Sequence, residues 1–229
     1  MIAETEVLEW RELERLLNQV NTQTPTGARN YALLQLMAQT GLRCGEALAV
    51  EWRDIRREEW PREAGHVEVW VLRLRRQHTK GKRPRQGIPL ASATRAALAR
   101  WNEWRARLGL RSGPLFCTVS RGQKIHGVPT ARGFAPGRAR TLLRPGRALN
   151  SRYVRQLLRR LADKAGISRR VHPHMLRHTA LTDLYDRTHD LRLVQQVAGH
   201  ATTRMTERYT HVRPIALAEA MGAFEADPC

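Results

Sequence analysis

Cysteine is scarce in this chain of 229 residues, which has only Cys44, Cys117 and Cys229. Three is an odd number, and no C-x-x-C spacing occurs, so neither a disulfide framework nor a zinc site is predicted and a reducing cytoplasm is favoured. No run of about 18 apolar residues is present, which argues against a membrane span. The first residues are acidic and amphipathic, unlike the basic and then apolar start of a signal peptide.

Acidic residues are few relative to basic ones. The chain has 21 Asp plus Glu against 40 Lys plus Arg, a formal net charge of +19 and a pI near 11.4. Because such a charge repels itself and destabilises a compact state, a polyanionic partner is the simplest reason to carry it. On charge alone, RNA, DNA and an acidic lipid surface remain open, as does an arginine-biased or ribosomal-type protein.

Lysine is also rare, and the four that occur are Lys80, Lys82, Lys124 and Lys164. Arginine binds phosphate through two parallel hydrogen bonds but does not release a proton at physiological pH, whereas lysine can. Each lysine is therefore worth considering as a proton donor. Lys80 and Lys82 stand out because they lie close together in a basic segment.

Hydrophobic periodicity predicts a mainly α protein with one small antiparallel β-sheet and no internal repeat. Gly41 is the expected left-handed cap of an early helix, and Ser92 or Thr94 is expected near the N-cap of a later one. The predicted helices cover residues 6–20, 31–39, 45–50, 92–107, 151–165, 173–185, 190–198, 202–210 and 214–224.

The small sheet is expected to be a hairpin. Residues 66–75 alternate in a way that predicts a strand buried on both faces or paired at its centre, and 86–90 is its expected return strand. The connection over residues 79–85 would form a long cationic tip. Residues 52–62 break the pattern, and 109–149 predict an irregular basic loop.

Two histidine motifs contain candidate residues for phosphate chemistry. His174 and Arg177 are three positions apart, so on a helix both can face one anion. His200 follows Gly199, and Tyr209 lies nine residues later; a tyrosine needs a cationic or hydrogen-bonding environment to act as a nucleophile. Taken singly, these short patterns are better explained by a solvated helix face and a buried or interfacial tyrosine.

Two further segments are candidates for anion binding and proton transfer. In Thr-Gly-Leu-Arg-Cys-Gly-Glu, Arg43 lies at a helix–helix junction, and Glu46 is spaced to orient its guanidinium. The plainer alternative is a surface ion pair that contributes little. Lys80, at the expected hairpin tip, could protonate a leaving alkoxide or only contact a phosphate backbone, and Lys82 competes for either role.

In order, the segments TGLRCGEALAVEWRDI, HTKGKRPRQGIPL, HPHMLRHTALTDLY and VQQVAGHATTRMTERYTHV closely resemble the signature of the tyrosine recombinase (phage-integrase) family. The resemblance covers roughly residues 5–215 and is weakest over 109–149. It implies the fold of a tyrosine recombinase catalytic domain. It places that family's catalytic residues on Arg43, Lys80, His174, Arg177, His200 and Tyr209, with Glu46 in support.

The resemblance also implies a mechanism. Tyr209 would attack a DNA phosphodiester to give a 3′-phosphotyrosyl intermediate and a free 5′-hydroxyl, so that rejoining needs no cofactor, ATP or metal. Arg43, Arg177 and His200 would stabilise the transition state, Lys80 would protonate the 5′-oxygen and His174 would assist proton movement at the phenol. The further DNA-binding residues expected on the hairpin are Lys82, Arg83 and Arg85.

The implied organisation is a catalytic domain over residues 1–212 and a C-terminal tail helix over 213–229. That tail would dock on a neighbouring subunit or fold back on its own domain. The implied partner is double-stranded DNA, bound as a homotetramer by a cytoplasmic, prokaryotic or phage-encoded protein. An N-terminal core-binding domain, usual in the family, is not expected in this chain, and the arginine-rich segment 121–147 is longer than usual.

Two other functions fit the same residues. A type IB topoisomerase shares the catalytic set, although the H-x-x-R-H-T box and the His-to-Tyr spacing favour a recombinase. A non-catalytic DNA-binding protein derived from a recombinase is the alternative from another class. Such a relative is expected to lack a catalytic residue, and every expected position is filled here.

Overall fold

The computed structural model describes residues 7–63, 65–75, 87–119, 128–130, 133–135 and 145–199. Seven α-helices and five strands lie in these residues, and they confirm the predicted mainly α fold with a small antiparallel sheet. The helices are α1 Trp10–Asn18, α2 Pro25–Thr40, α3 Cys44–Leu48, α4 Ser92–Arg107, α5 Ser151–Lys164, α6 Pro173–Thr188 and α7 Leu191–Ala198. The strands are β1 Ile55–Arg62, β2 Gly65–Leu72, β3 Ile88–Pro89, β4 Val128–Thr130 and β5 Gly133–Ala135.

Helix α2 begins six residues earlier than the sequence predicted. Thr24 is its N-cap, with a side-chain oxygen that accepts a hydrogen bond from the Gly27 N–H at 3.1 Å, and Pro25 occupies the first helical position. Proline there lacks only an N–H that would have no partner in the helix. The predicted start was too late because the apolar pattern begins only at Tyr31, whereas the polar residues Arg29 and Asn30 before it are helical and buried.

Several other helix boundaries were close to expectation. In α5 the predicted apolar face is buried, and Gly166 follows it in a left-handed conformation with φ 67°. Helix α6 extends three residues past the predicted end, whereas α1 is shorter at both ends than predicted. Helix α4 has the predicted bounds, with Ser92 next to the N-cap residue Ala91, whose side chain makes no capping bond.

The sheet differs most from the prediction. Strand β2 pairs along its whole length with β1, from Ile55 opposite Leu72 to Arg62 opposite Gly65, whereas β3 meets only its last two residues. Most of the segment 52–62, for which no regular structure was predicted, is therefore a strand. Strand β2 is also exposed over its first half and buried only at Val71 and Leu72. Of the two predicted alternatives, burial on both faces was therefore wrong, and pairing at its centre is confirmed.

The hydrophobic core surrounds α2, which is buried on most of its surface and packs against α4 and α6. A smaller cluster of Leu181, Val194 and Ala198 joins α6 to α7. Part of the expected irregular loop also enters the core. Leu115 and Phe116 are fully buried, and Cys117 pairs with Ala148 in an isolated bridge, so 109–149 is not a surface loop throughout.

No helix in the described residues is long and apolar enough to cross a membrane. The two predicted helices at 202–210 and 214–224 lie outside the described residues, as does the cationic connection at 79–85.

Candidate active site

Arg177, the arginine of the H-x-x-R motif, lies buried in α6 with 4% of its surface exposed. Its Nη1 donates to the Gly41 carbonyl at 2.6 Å and its Nη2 to the Ala198 carbonyl at 2.9 Å. These carbonyls lie at the C-terminal ends of α2 and α7. Such ends have carbonyls without helical partners and carry partial negative charge, so a guanidinium there is both hydrogen-bonded and electrostatically stabilised.

The acceptors of Arg177 belong to the two segments that contain other predicted site residues. Gly41 precedes Arg43 by two positions, and Ala198 precedes His200 by two positions. One side chain therefore fixes the backbone of both segments relative to α6. The structure thus brings Arg177 next to the Arg43 turn and to the residues directly before His200.

Gly41 makes this approach possible. It ends α2 in the left-handed conformation, with φ 61°, and its N–H donates to the Met37 carbonyl at 3.0 Å. A Cβ at this position would lie 3.1 Å from both Cγ and Cδ2 of Leu181, one turn beyond Arg177 on α6. The backbone angle thus favours glycine, and a Cβ here would also require the Leu181 side chain to shift by a few tenths of an ångström.

Arg43 lies directly before α3 and is oriented by Glu46, as predicted. The Glu46 carboxylate accepts the Arg43 backbone N–H at 2.9 Å and an Nη1 hydrogen at 3.1 Å. Glu46 is 4% exposed, whereas the side chain of Arg43 is 23% exposed. The buried carboxylate fixes an arginine that still reaches the surface, an arrangement suited to binding an anion in a cleft.

His174 is exposed in the first turn of α6, three positions before Arg177. Its ring centroid lies 6.3 Å from that of His172 in an edge-to-face arrangement. Two imidazoles therefore flank the start of the helix that carries Arg177. The exposed His174 ring is therefore accessible to solvent and to a bound substrate.

The remaining predicted site residues lie outside the described residues: Lys80, Lys82, Arg83, Arg85, His200 and Tyr209. Their assignments remain predictions. Gly199, the last described residue, ends α7 in a left-handed conformation with φ 61°. Within the described part of the chain, no group of three or more His, Cys, Asp or Glu side chains is arranged to hold a metal ion.

A basic cleft beside α5 was not singled out from the sequence. It has a volume of about 820 Å³ and lies between α5 and the segment that leads into α6. Arg169 in this cleft pairs with Glu12, and Asp163 is the one acidic lining residue. The spacing of the arginines along α5, opposite its apolar face, was the signal available in the sequence. The lining arginines are Arg152, Arg155, Arg159, Arg169 and Arg170.

Comparisons with known proteins cover most of the chain. A family model described as the phage integrase family matches residues 6–214. Tyrosine recombinase XerC of Xanthomonas campestris is 32% identical over 207 residues, which cover 90% of this chain and 51% of that protein. XerC of Bacillus subtilis is 32% identical over 202 residues, covering 88% and 55%. The chain thus spans about half the length of these curated relatives.

Solved structures show the same fold. The XerH site-specific recombinase, bound to palindromic difH substrate in a post-cleavage complex, superposes with a TM-score of 0.67 at 26% identity, covering 96% of this chain and 53% of that one. The catalytic domain of bacteriophage HP1 integrase superposes with a TM-score of 0.51 at 18% identity, covering 94% and 93%. The fold expected from the sequence is therefore confirmed.

Proposed function

The chain belongs to the phage integrase family, and on that basis we propose that it is a site-specific DNA recombinase. In the proposed reaction the phenolic oxygen of Tyr209 attacks a DNA phosphorus. The bond from phosphorus to the 5′-oxygen breaks, leaving a 3′-phosphotyrosyl linkage and a free 5′-hydroxyl. A 5′-hydroxyl from the same or another strand then attacks that linkage and releases Tyr209, so rejoining needs no ATP.

The observation that carries this proposal is the position of Arg177. Its two hydrogen bonds, to Gly41 and Ala198, bring together the segments that lead into Arg43 and His200. We therefore assign Arg43, Arg177 and His200, which are far apart in the sequence, to the same phosphate. As negative charge builds on the non-bridging oxygens, preorganised donors stabilise it without having to rearrange.

Proton transfer is assigned to two residues. Lys80 gives a proton to the departing 5′-oxygen, and His174, exposed at the start of α6, assists removal of the proton from the attacking phenol. Lys82 provides a matched control because it lies in the same basic segment. We expect Lys80→Ala to slow cleavage about 100-fold and Lys82→Ala to weaken DNA binding instead.

DNA binding is assigned to the basic surface. The hairpin residues Lys82, Arg83 and Arg85 and the cleft beside α5 would contact phosphates of a DNA duplex. Each phosphate contact releases counterions, so the logarithm of the affinity is expected to fall linearly with the logarithm of salt concentration. Titrating a fluorescent duplex at several salt concentrations measures this slope.

The proposed assembly on DNA is a homotetramer, with residues 1–212 as the catalytic domain and 213–229 as a tail that docks on a neighbouring subunit. Sedimentation of the protein on DNA carrying its target site tests the assembly. Truncation after Arg213 is expected to lower the assembly size while leaving binding of a single subunit intact. An unchanged assembly would remove the docking role of the tail.

A nicked suicide substrate, which loses a short strand after cleavage and traps the intermediate, tests the function directly. The wild type is expected to give a covalent protein–DNA band on a denaturing gel, and Tyr209→Phe to give none. A band together with relaxation of supercoiled DNA, but without strand exchange, would indicate a topoisomerase. Binding without any band would indicate a DNA-binding protein.

A further inference from the structure

Arg75 forms an ion-pair cluster outside the groups described so far. Its Nη2 donates to Glu51 Oε1 at 2.7 Å and to Asp54 Oδ2 at 3.3 Å, and its Nε lies 3.0 Å from Asp54 Oδ1. The carboxylate of Asp54 is 4% exposed, whereas the side chains of Arg75 and Glu51 are each about a quarter exposed. One guanidinium therefore holds two carboxylates.

The two carboxylates belong to the segment that continues from Arg43. Asp54 accepts the Glu51 N–H at 2.9 Å, and Val50 accepts the Leu115 N–H at 2.8 Å, which attaches the segment to the core. Helix α3 fills the residues between Arg43 and this cluster. The position of Arg75 is consequently tied to the same short stretch of chain that positions Arg43.

The described residues on either side of the Lys80 segment are held by Asp54 and by β2. At the front, the Arg73 N–H donates to the Asp54 carbonyl at 2.8 Å. At the rear, Leu72 pairs with Ile88, and a Cβ on Gly87 would lie 2.3 Å from Val71 Cγ1, so the returning chain runs directly against β2. Lys80 lies seven residues from Arg73 and seven from Gly87 along the chain.

We propose that Arg75 is a positioning residue for the general-acid lysine: its pairing with Glu51 and Asp54 sets where the Lys80 segment leaves the sheet relative to Arg43. This inference rests on the proposed function, in which Lys80 protonates the 5′-oxygen. Holding an acid at the right place raises its effective concentration at the leaving group. A partly exposed ion pair contributes little to overall stability, so its main effect is on position.

The pKa of Glu51 is lowered, chiefly because the carboxylate accepts a hydrogen bond from Arg75, and the pKa of Arg75 is raised by the same bond. The pair therefore stays charged throughout the neutral range in which a recombinase would work. Because Glu51 is an acid with a lowered pKa, its contribution is present above its ordinary pKa and is lost only as the pH falls through the lowered value.

The test compares two suicide substrates in single turnover at saturating enzyme. One has the natural 5′-oxygen at the cleavage site, and the other has a bridging 5′-sulfur. With oxygen, the bond to phosphorus breaks as Lys80 transfers its proton to the alkoxide. With sulfur, the group leaves as a thiolate, which is stable without a proton because a thiol has a pKa of about 8.5.

Arg75→Ala is expected to slow cleavage of the oxygen substrate by about tenfold or more. On the sulfur substrate its rate should stay within about threefold of the wild type, because no proton is needed there. Arg57→Ala is the matched control: Arg57 pairs with Glu68 at 3.3 Å across β1 and β2, away from the residues that flank the Lys80 segment. Its rates should stay within about threefold on both substrates.

A double-mutant cycle sharpens the test. If Arg75 acts through Lys80, then Arg75→Ala should have no further effect on the oxygen substrate once Lys80→Ala is present. Arg75→Lys should recover part of the rate because it keeps one charge near both carboxylates. Glu51→Gln is a milder variant that weakens the same pair, and it should show the same oxygen-specific loss even if Arg75→Ala does not fold.

Equal slowing on both substrates would overturn the proposal, since it would indicate a general structural or binding role. An unchanged oxygen rate in folded Arg75→Ala, with folding checked by its melting temperature, would also overturn it. A wild type that forms no covalent complex with either substrate would refute the proposed function itself. The two failures are therefore distinguishable.

Discussion

Two buried arginines near opposite ends of α2 differ in what surrounds them. Arg29, in the second turn, is 3% exposed and donates to Asn30 Oδ1, the Cys117 carbonyl and the Tyr153 hydroxyl, with its guanidinium 5.0 Å from the Tyr153 ring centroid. Arg177, at the other end, donates to carbonyls at two helix C-termini. Both charges are buried and hydrogen-bonded, as a buried charge must be.

The difference lies in what each arginine connects. The partners of Arg29 join α2 to α5 and to the buried segment at Cys117, all within the core. Burial is the main cause that lowers its pKa, and the Tyr153 hydroxyl opposes this effect. The partners of Arg177 belong to segments that lead into predicted catalytic residues. Burial alone therefore does not distinguish the two arginines, whereas the segments that each one connects do.

The largest expected effect is on catalysis, from Arg177→Lys. Lysine keeps the charge but cannot donate to both Gly41 and Ala198 in the same planar arrangement, so we expect cleavage to fall by about 100-fold or more. Single-turnover formation of the covalent complex measures this rate. The control is Arg29→Lys, assayed per folded molecule. If Arg29→Lys slows cleavage as much as Arg177→Lys does, the two arginines do not differ in their effect on catalysis.

The next effect is on stability, from Arg29→Met. Removing the guanidinium leaves the Asn30 amide oxygen and the Cys117 carbonyl without this donor in the core, so we expect a loss of about 2–4 kcal/mol in the free energy of unfolding. Urea denaturation measures it. Arg95→Met, on the exposed face of α4, should change the value by less than about 0.5 kcal/mol. A neutral result for Arg29→Met would show that its network is dispensable.

Substitution of Gly41, whose carbonyl accepts a hydrogen bond from Arg177, tests whether the backbone position at this end of α2 matters for cleavage. Gly41→Ala and Gly166→Ala both place alanine in a left-handed conformation, at a cost of about 1–2 kcal/mol each. Only Gly41 is also crowded, by Leu181, because nothing lies within 4 Å of a Cβ at Gly166. Displacement of the Gly41 carbonyl should slow cleavage about tenfold, and Gly166→Ala should not. Thermal melts and covalent-complex assays separate the two effects.

The smallest effect is expected from Tyr153→Phe. The hydroxyl accepts from Arg29 at 2.5 Å and donates to Asn30 Oδ1 at 3.0 Å, while the ring that lies against the guanidinium is kept. We expect a loss of about 1 kcal/mol in unfolding free energy and no change in cleavage. A loss as large as that of Arg29→Met would indicate that the hydroxyl carries most of the network.

Sequence patterns predicted those features of the structure that depend on residues close together in the chain. Arg43 and Glu46 are three residues apart, and α5 has a regular apolar face, so both were found. Arg29 was missed because its partners Cys117 and Tyr153 are 88 and 124 residues away. Strand β1 was missed because most of its charged residues face solvent, which leaves no alternation to detect. The H-x-x-R motif marked Arg177 as a candidate residue. Its hydrogen bonds to Gly41 and Ala198 could not be predicted from the spacing of residues along the chain.

The bond between Arg177 and Gly41 joins residues 136 positions apart. Contacts over such a separation require closure of a long loop, and they form late relative to the local turns of helices. During synthesis, the Arg43 turn emerges long before α6 has been made. A nascent chain that ends before Arg177 cannot form this bond, so the order of translation itself delays assembly of the proposed phosphate-binding site until α6 has been made.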